Sequence, residues 1–239
     1  FHFRETFATI LADDPVHVAA AKAGMMAARQ VLEAYIARDP FFAATFDPYD
    51  PDSDEPVITR MADAARRAGV GPMAAVAGTF AWSGVEAMQE AGASFGVIDN
   101  GGDIALVSDR PVRVGVHAGG AALSNRVAFV VPPQEQVFGI CTSSATVGPS
   151  ISFGIADAVT VFARDVALSD AWATAVCNRI RPDDRSVLDQ IDPEEVDGIF
   201  AIMGDVTIRW GQLPPLVPAV VDEGLISAGD RQLFSEKNL

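Results

Sequence analysis

The chain has 239 residues, enough for one large domain with a sizeable core or for two small ones. Hydrophobic residues make up 49% and charged residues 21%, a globular profile, and no run of about 18 uncharged apolar residues marks a membrane span. Seventeen basic residues against 32 acidic ones give a net charge of −15, which argues against nucleic acid and anionic membrane as partners and requires a metal ion or buried backbone N–H groups to meet any anionic ligand.

Two cysteines, Cys141 and Cys177, do not make a disulfide framework and read as reduced, buried thiols of a cytoplasmic protein. The chain opens at Phe1 with FHFRET, which carries no signal-peptide pattern and no initiator Met, so removal of an upstream segment is an open expectation. FRETFATILA (3–12) alternates well enough for a strand or hairpin arm. The stretch 13–40 has explicit helix punctuation: Asp14 suits the N-cap, Pro15 the first helical position, and Pro40 ends the helix by Asp39. Val16, Ala20, Ala23, Ala27, Val31 and Tyr35 form its expected core-facing stripe. ATFDPYDPDSDEP (44–56) reads as an exposed loop. Asp50, Asp52 and Asp54 mimic the start of an EF-hand, but Glu55 and Met61 stand where Gly and Glu are needed, so a solvated acidic loop is expected.

A helix is expected over 56–68, ended by Gly69. A second, GPMAAVAGTFAWSGVEAMQEAG (71–92), is small along its first half, with Ala74, Ala75, Ala77, Gly78 and Ala81 open to a neighbouring helix, sheet or ligand. SFGVI, DIALV, VRVGVHA, RVAFVV and DAVTVFAR then read as strands, with glycine pairs at 101–102 and 119–120. LSDAWATAVCNRI (168–180) reads as a helix with Ser169 at its N-cap. GIFAIMGDVTIRWG (198–211) reads as a hairpin through a type II′ turn at Gly204-Asp205. The sum is α+β with a largely antiparallel sheet in one compact domain over 1–239.

Three stretches offer chemistry. Asn100-Gly101-Gly102-Asp103 is a hairpin signal, and it also removes two Cβ atoms beside a carboxylate, which lets a ligand reach the backbone. FGICTSSATVGPSISFG (138–154) places Thr142, Ser143, Ser144, Thr146, Ser150 and Ser152 among glycines with almost no charge. Such a segment can wrap oxygen-rich groups, or its hydroxyls can bond their own backbone. Asp170 and Thr174, four residues apart at a helix start, share a face and can both reach a hard divalent cation; alternatively Asp170 serves the helix dipole and Thr174 bonds back.

Taken in order, AVAGTFA (75–81), IDNGGDI (98–104), CTSS (141–144), ADAVTV (156–161) and LSDAWATAV (168–176) resemble the motifs of the ApbE-like superfamily, whose characterised members are FAD:protein FMN transferases. The wording is closer still to a branch of ApbE-related proteins with no assigned function. The resemblance implies an ApbE-like, T-fold-like arrangement of antiparallel sheets packed with long helices. It also implies a cofactor site at Asn100, Gly101, Gly102, Asp103, Thr142, Ser143 and Ser144, and a metal site for Mg²⁺ at Asp170 and Thr174. The ligand it implies is FAD, FMN or another phosphorylated small molecule. Two departures stand out: the family's motif lysine is Ala77 here, and its histidine-bearing stretch has no counterpart near Pro149.

The expectations are therefore a Mg²⁺-dependent FMN transferase or nucleotide pyrophosphatase, or a silent phosphometabolite-binding protein on the same scaffold. Two others are weaker on the residues: a Cys141 acyl-transfer enzyme with His117 as base, and an interaction protein that packs as a homodimer through the small-residue helix at 73–84.

Overall fold

The structure is a computed structural model that describes residues 1–3, 6–146 and 154–220. Pro149, Ser150 and Ser152 of the hydroxyl-rich stretch lie outside the described residues. The opening is a hairpin of β1 (His2–Phe3) and β2 (Thr6–Ala12). Asp14 then starts α1 (Pro15–Arg38) as its chemistry requires, its side chain accepting from the Val16 N–H at 2.8 Å. The buried stripe of α1 differs from the expected one: it is Ala21, Met25, Ala28, Leu32 and Tyr35. Val16 is 55% exposed, and Ala23 and Ala27 face outward. Alanine lies on nearly every side of this helix and carries little directional signal. Met25 and Leu32 have the area worth burying, and they choose the face.

A short helix, α2 (Phe41–Ala44), and the exposed acidic loop lead to α3 (Pro56–Ala68), which stops at Gly69 in the left-handed region with φ 70°. The small-residue stretch opens with a 3₁₀ turn (Pro72–Ala75) before α4 (Val76–Glu90) begins. The strands that follow are β3 (Phe95–Asn100), β4 (Asp103–Ser108), β5 (Val112–Gly115), β6 (Val127–Val131), β7 (Gln134–Ser143) and β8 (Ala158–Ala163). The first six residues of the hydroxyl-rich stretch, 138–143, are thus the end of a ten-residue strand. Next come α5 (Val166–Arg179), the hairpin β9 (Gly198–Met203) and β10 (Val206–Gly211), and β11 (Leu216–Pro218). Gly204 has φ 57° and Asp205 is not left-handed, as a type II′ turn demands. α5 starts earlier than its sequence suggested. Asp165 is the N-cap, accepting from the Leu168 N–H at 2.9 Å, and Ser169 already lies inside the helix.

Among the described residues every strand pairing is antiparallel. The large sheet runs β1-β2-β3-β4-β7-β8-β9-β10, and a small one runs β11-β6-β5. The fold class is the expected α+β. The helices cover one face of the large sheet and the small sheet covers the other, so alternate residues of each central strand serve two separate cores. On β8, Val159 and Val161 face the helices while Ala158 and Phe162 face the small sheet. α4 lies between α1, α5 and the sheet. Two of its small residues admit these neighbours within the protomer: Gly78 faces Val166 and Asp170 of α5, and Gly84 faces Met25 of α1 and Ile98 of β3. No helix among the described residues is long and apolar enough to cross a membrane.

Candidate functional site

The strand alternation sets Asn100, Asp103, Cys141 and Ser143 on the helix-facing side of the large sheet, because Asn100 pairs with Asp103 and Asp103 with Cys141. The turn between β3 and β4 is Gly101-Gly102 alone, with φ 73° and 103°, the two left-handed positions of a type I′ bend. Directly across from it, α5 presents Asp170, which is 6% exposed. Asp170 does not serve its own helix dipole. Its Oδ2 accepts from the Gly78 N–H at 2.8 Å, and the Ala77 N–H also faces it, so a carboxylate of α5 caps the N-terminus of α4. The N-cap residue itself, Ala75, supplies no side-chain cap. A Cβ at position 78 would stand 2.9 Å from the Asp170 Cβ, so only glycine lets the two helices meet here. The Ala77 carbonyl in turn accepts from Asn100 Nδ2 at 3.0 Å. Three segments far apart in the chain, 77–78, 100–103 and 170, therefore meet at one point.

The turn is less open than its glycines suggested. The Gly102 N–H donates to Asp99 Oδ1 at 2.8 Å, and the Gly102 carbonyl accepts from the Thr142 N–H at 3.1 Å. Gly101 is the exposed part, with open space where a Cβ would stand. Asp103 Oδ1 also accepts from the Thr142 N–H, at 3.2 Å. Thr142 thus contributes its backbone, while its hydroxyl turns to the opposite face and meets the Thr160 hydroxyl at 2.9 Å. Ser144 is buried in a local turn, accepting from the Thr146 N–H at 3.1 Å. Ser143 and Thr174 are half-buried, and neither side chain has a hydrogen bond among the described residues. Thr174 therefore does not bond back to its own helix.

A family model described as AbpE bacteria matches residues 2–207. The chain belongs to this family. The resemblance drawn from the motifs is thereby upheld, and so is the branch. The UPF0280 protein of Methanoregula boonei is 71% identical over 97% of this chain and 98% of its own length. That of Methanosphaerula palustris is 59% identical over 96% and 97%, and that of Methanosarcina acetivorans 43% over 92% and 89%. Among solved structures, the apo flavinyl transferase ApbE of Pseudomonas stutzeri aligns over 94% of this chain and 79% of its own, with TM-score 0.42 and 15% identity. The flavin transferase ApbE of Vibrio cholerae aligns over 76% and 73%, with TM-score 0.44 and 13% identity.

In this AbpE-family chain the electrostatics of the site are set by two carboxyls that share a low-dielectric corner. Burial pushes Asp170 up to about 7, against the pull of the Gly78 and Ala77 N–H groups. Burial and the nearby charges of Asp170 and Asp99 raise Asp103 well above the carboxylate range, opposed by the Thr142 N–H and the Cys141 thiol. Asp103 is surrounded deep in the protein, yet part of its surface stays open, as a group lining a crevice would be. The donors at this corner are two carboxyls, and Thr174 stands one helical turn beyond Asp170 on α5; oxygen donors of this kind suit a hard divalent ion. Among the described residues there is no group of three or more His, Cys, Asp or Glu side chains placed to hold a metal.

The cysteine reading fails on geometry. Cys141 is fully buried, its thiol donates to the Val166 carbonyl at 3.6 Å, and burial together with Asp103 and Asp170 pushes it well above the usual thiol range. His117 bonds Asn125 at 3.0 Å in the loop between β5 and β6, beside the small-sheet core. Sequence reasoning missed the role of Ser169, whose buried hydroxyl donates to the Val161 carbonyl at 2.7 Å and accepts from the Cys141 N–H at 3.3 Å. The signal was available: a serine four residues after a capping aspartate is free to point inward.

Proposed function

We propose that this AbpE-family protein binds a phosphorylated, flavin-type ligand, FAD or FMN, together with Mg²⁺ held by Asp170 and Thr174. The observation that carries the reading is the meeting of the buried Asp170 with the α4 N-terminus and, through Ala77 and Asn100, with the Gly101-Gly102 turn. Mg²⁺ in such a site neutralises a pyrophosphate and polarises its phosphoryl oxygens. Asp170, fixed by two backbone N–H groups, keeps its remaining lone pairs aimed at one place. Gly101 lets phosphate oxygens approach the backbone without a side chain in the way. The reaction class is pyrophosphate cleavage: a hydroxyl oxygen of water or of an acceptor side chain bonds to the FMN phosphorus, the bond to the AMP oxygen breaks, and the hydroxyl proton leaves to solvent. Incubation with FAD and Mg²⁺ followed by mass spectrometry is expected to show FMN and AMP, or a flavinylated acceptor. No product combined with no thermal shift by FAD removes the reading.

A ligand-binding protein without turnover is the second reading, and Ala77 favours it. The position of the family's lysine lies on the Asn100 side of the site and here brings no cation. In that case FAD or FMN with Mg²⁺ raises the melting temperature by the binding term RT ln(1 + [L]/Kd), and no product forms.

A further inference from the structure

An edge strand offers unpaired N–H and C=O groups to other chains, and proteins blunt such edges with short strands, prolines or charge. Three edges here are blunted. β1 has two residues, and β2 runs past it only to Ala12, before the paired acids Asp13 and Asp14. β5 has four residues and follows Pro111, and β11 has three, preceded by Pro214-Pro215 and ending in Pro218. β10 is different: six residues in unbroken register with β9, without proline, lysine or bulge, at the end of the large sheet.

We propose that β10 is a homodimer interface, with two copies pairing edge to edge, antiparallel about a two-fold axis at Ile208. The two-residue turn makes Val206 and Met203 a hydrogen-bonded pair, so Val206, Ile208 and Trp210 direct their backbone groups to β9 while Thr207 and Arg209 direct theirs outward. A register that sets Thr207 opposite Arg209 of the second copy matches outward groups on both sides and covers the strand from Val206 to Trp210. On the helix-facing side it sets Val206, 39% exposed, against Trp210 of the second copy, with Ile208, already buried in its own core, on the axis between them. On the other side lie Asp205 and Arg209. Neither has an ion-pair partner among the described residues; Arg209 only rests over the Phe200 ring at 5.9 Å. In this register Asp205 is the diagonal neighbour of Arg209 of the second copy, and the two-fold makes that contact twice, within reach of a long side chain. An edge without proline or bulge, unpaired among the described residues and complementary to itself in charge and at Val206 and Trp210, fits a second copy of this chain.

Sedimentation velocity on the intact chain tests it, and independently of any flavin. The expected result is a species of twice the 25.2 kDa chain mass at high micromolar concentration, dissociating on dilution. Thr207→Pro deletes an outward N–H and leaves the bonds to β9, so it is expected to give monomer with an unchanged far-ultraviolet spectrum. Should that variant misfold, Val206→Lys blocks the same contact from an exposed side chain. Asp205→Arg and Arg209→Asp are each expected to weaken association about tenfold, and together to restore it. A monomer at every concentration, a dimer indifferent to both Thr207→Pro and Val206→Lys, or a double charge swap no better than the single ones overturns the proposal.

Discussion

The two faces of the large sheet are made from the same strands, and they are built for different ends. Toward the small sheet, Phe129 lies edge-on to Phe162 at 4.8 Å and to Phe200 at 5.5 Å, a dry aromatic core. Toward the helices, the same strands carry Asn100, Asp103 and Cys141, and α5 adds Ser169 and Asp170. Most polar groups on that side have a backbone partner, and the Cys141 thiol also meets the Asp103 carboxyl. One residue of register therefore separates packing from chemistry, and each face can be altered while the other reports.

The largest expected effect is on the dry face. Phe162→Ala removes a fully buried ring and is expected to cost about 3–5 kcal/mol in denaturant unfolding, while FAD and Mg²⁺ still shift the melting temperature of whatever remains folded. On the wet face, Gly78→Ala forces a methyl against the Asp170 Cβ and the Val166 carbonyl, each 2.9 Å away. It is expected to cost about 1–3 kcal/mol and also to abolish the Mg²⁺ shift, a double loss that Phe162→Ala does not show.

Asp170→Asn sharpens the comparison through pH. The folded protein holds Asp170 near 7 against an ordinary value of 3.8, so its stabilising protonated form is fully present below 3.8 and is lost as pH rises through about 7. Without divalent cation, wild-type stability is expected to fall between about pH 4 and 7 by on the order of 1–3 kcal/mol, and the Asn variant to show a flatter profile. Chemical denaturation in chelator across that range checks it, and equal slopes would sink the assignment. The smallest effect lies away from both faces: Val16→Ser on exposed α1 is expected to change stability by less than about 0.5 kcal/mol, measured by the same denaturation.

Legibility in the sequence followed the chemistry of particular residues. Asp14, Pro15, Gly69 and Gly204-Asp205 act locally, through their own φ or their own side-chain oxygen, and each was readable where it stands. The α1 stripe was not, because alanines do not say which way they face until a partner with larger side chains is in place. The start of α5 was misplaced for a related reason: Asp165 and Ser169 are both good capping residues, and only the Val161 carbonyl above Ser169 decides between them. At the site, the motifs named Asp170, the glycine turn and Asp103. The side-chain direction of Thr142 and the Asp99 bond that closes Gly102 depended on strand register, which no single stretch reveals.

The bond between Gly78 and Asp170 joins residues separated by 92 positions, with four of the eight strands of the large sheet between them in the chain. Long-range closures of this kind come late in folding. During synthesis, the amide waits at the start of α4 until six further strands and the first turns of α5 have left the ribosome, so a growing or truncated polypeptide carries both glycines of the turn and has no carboxylate to cap α4.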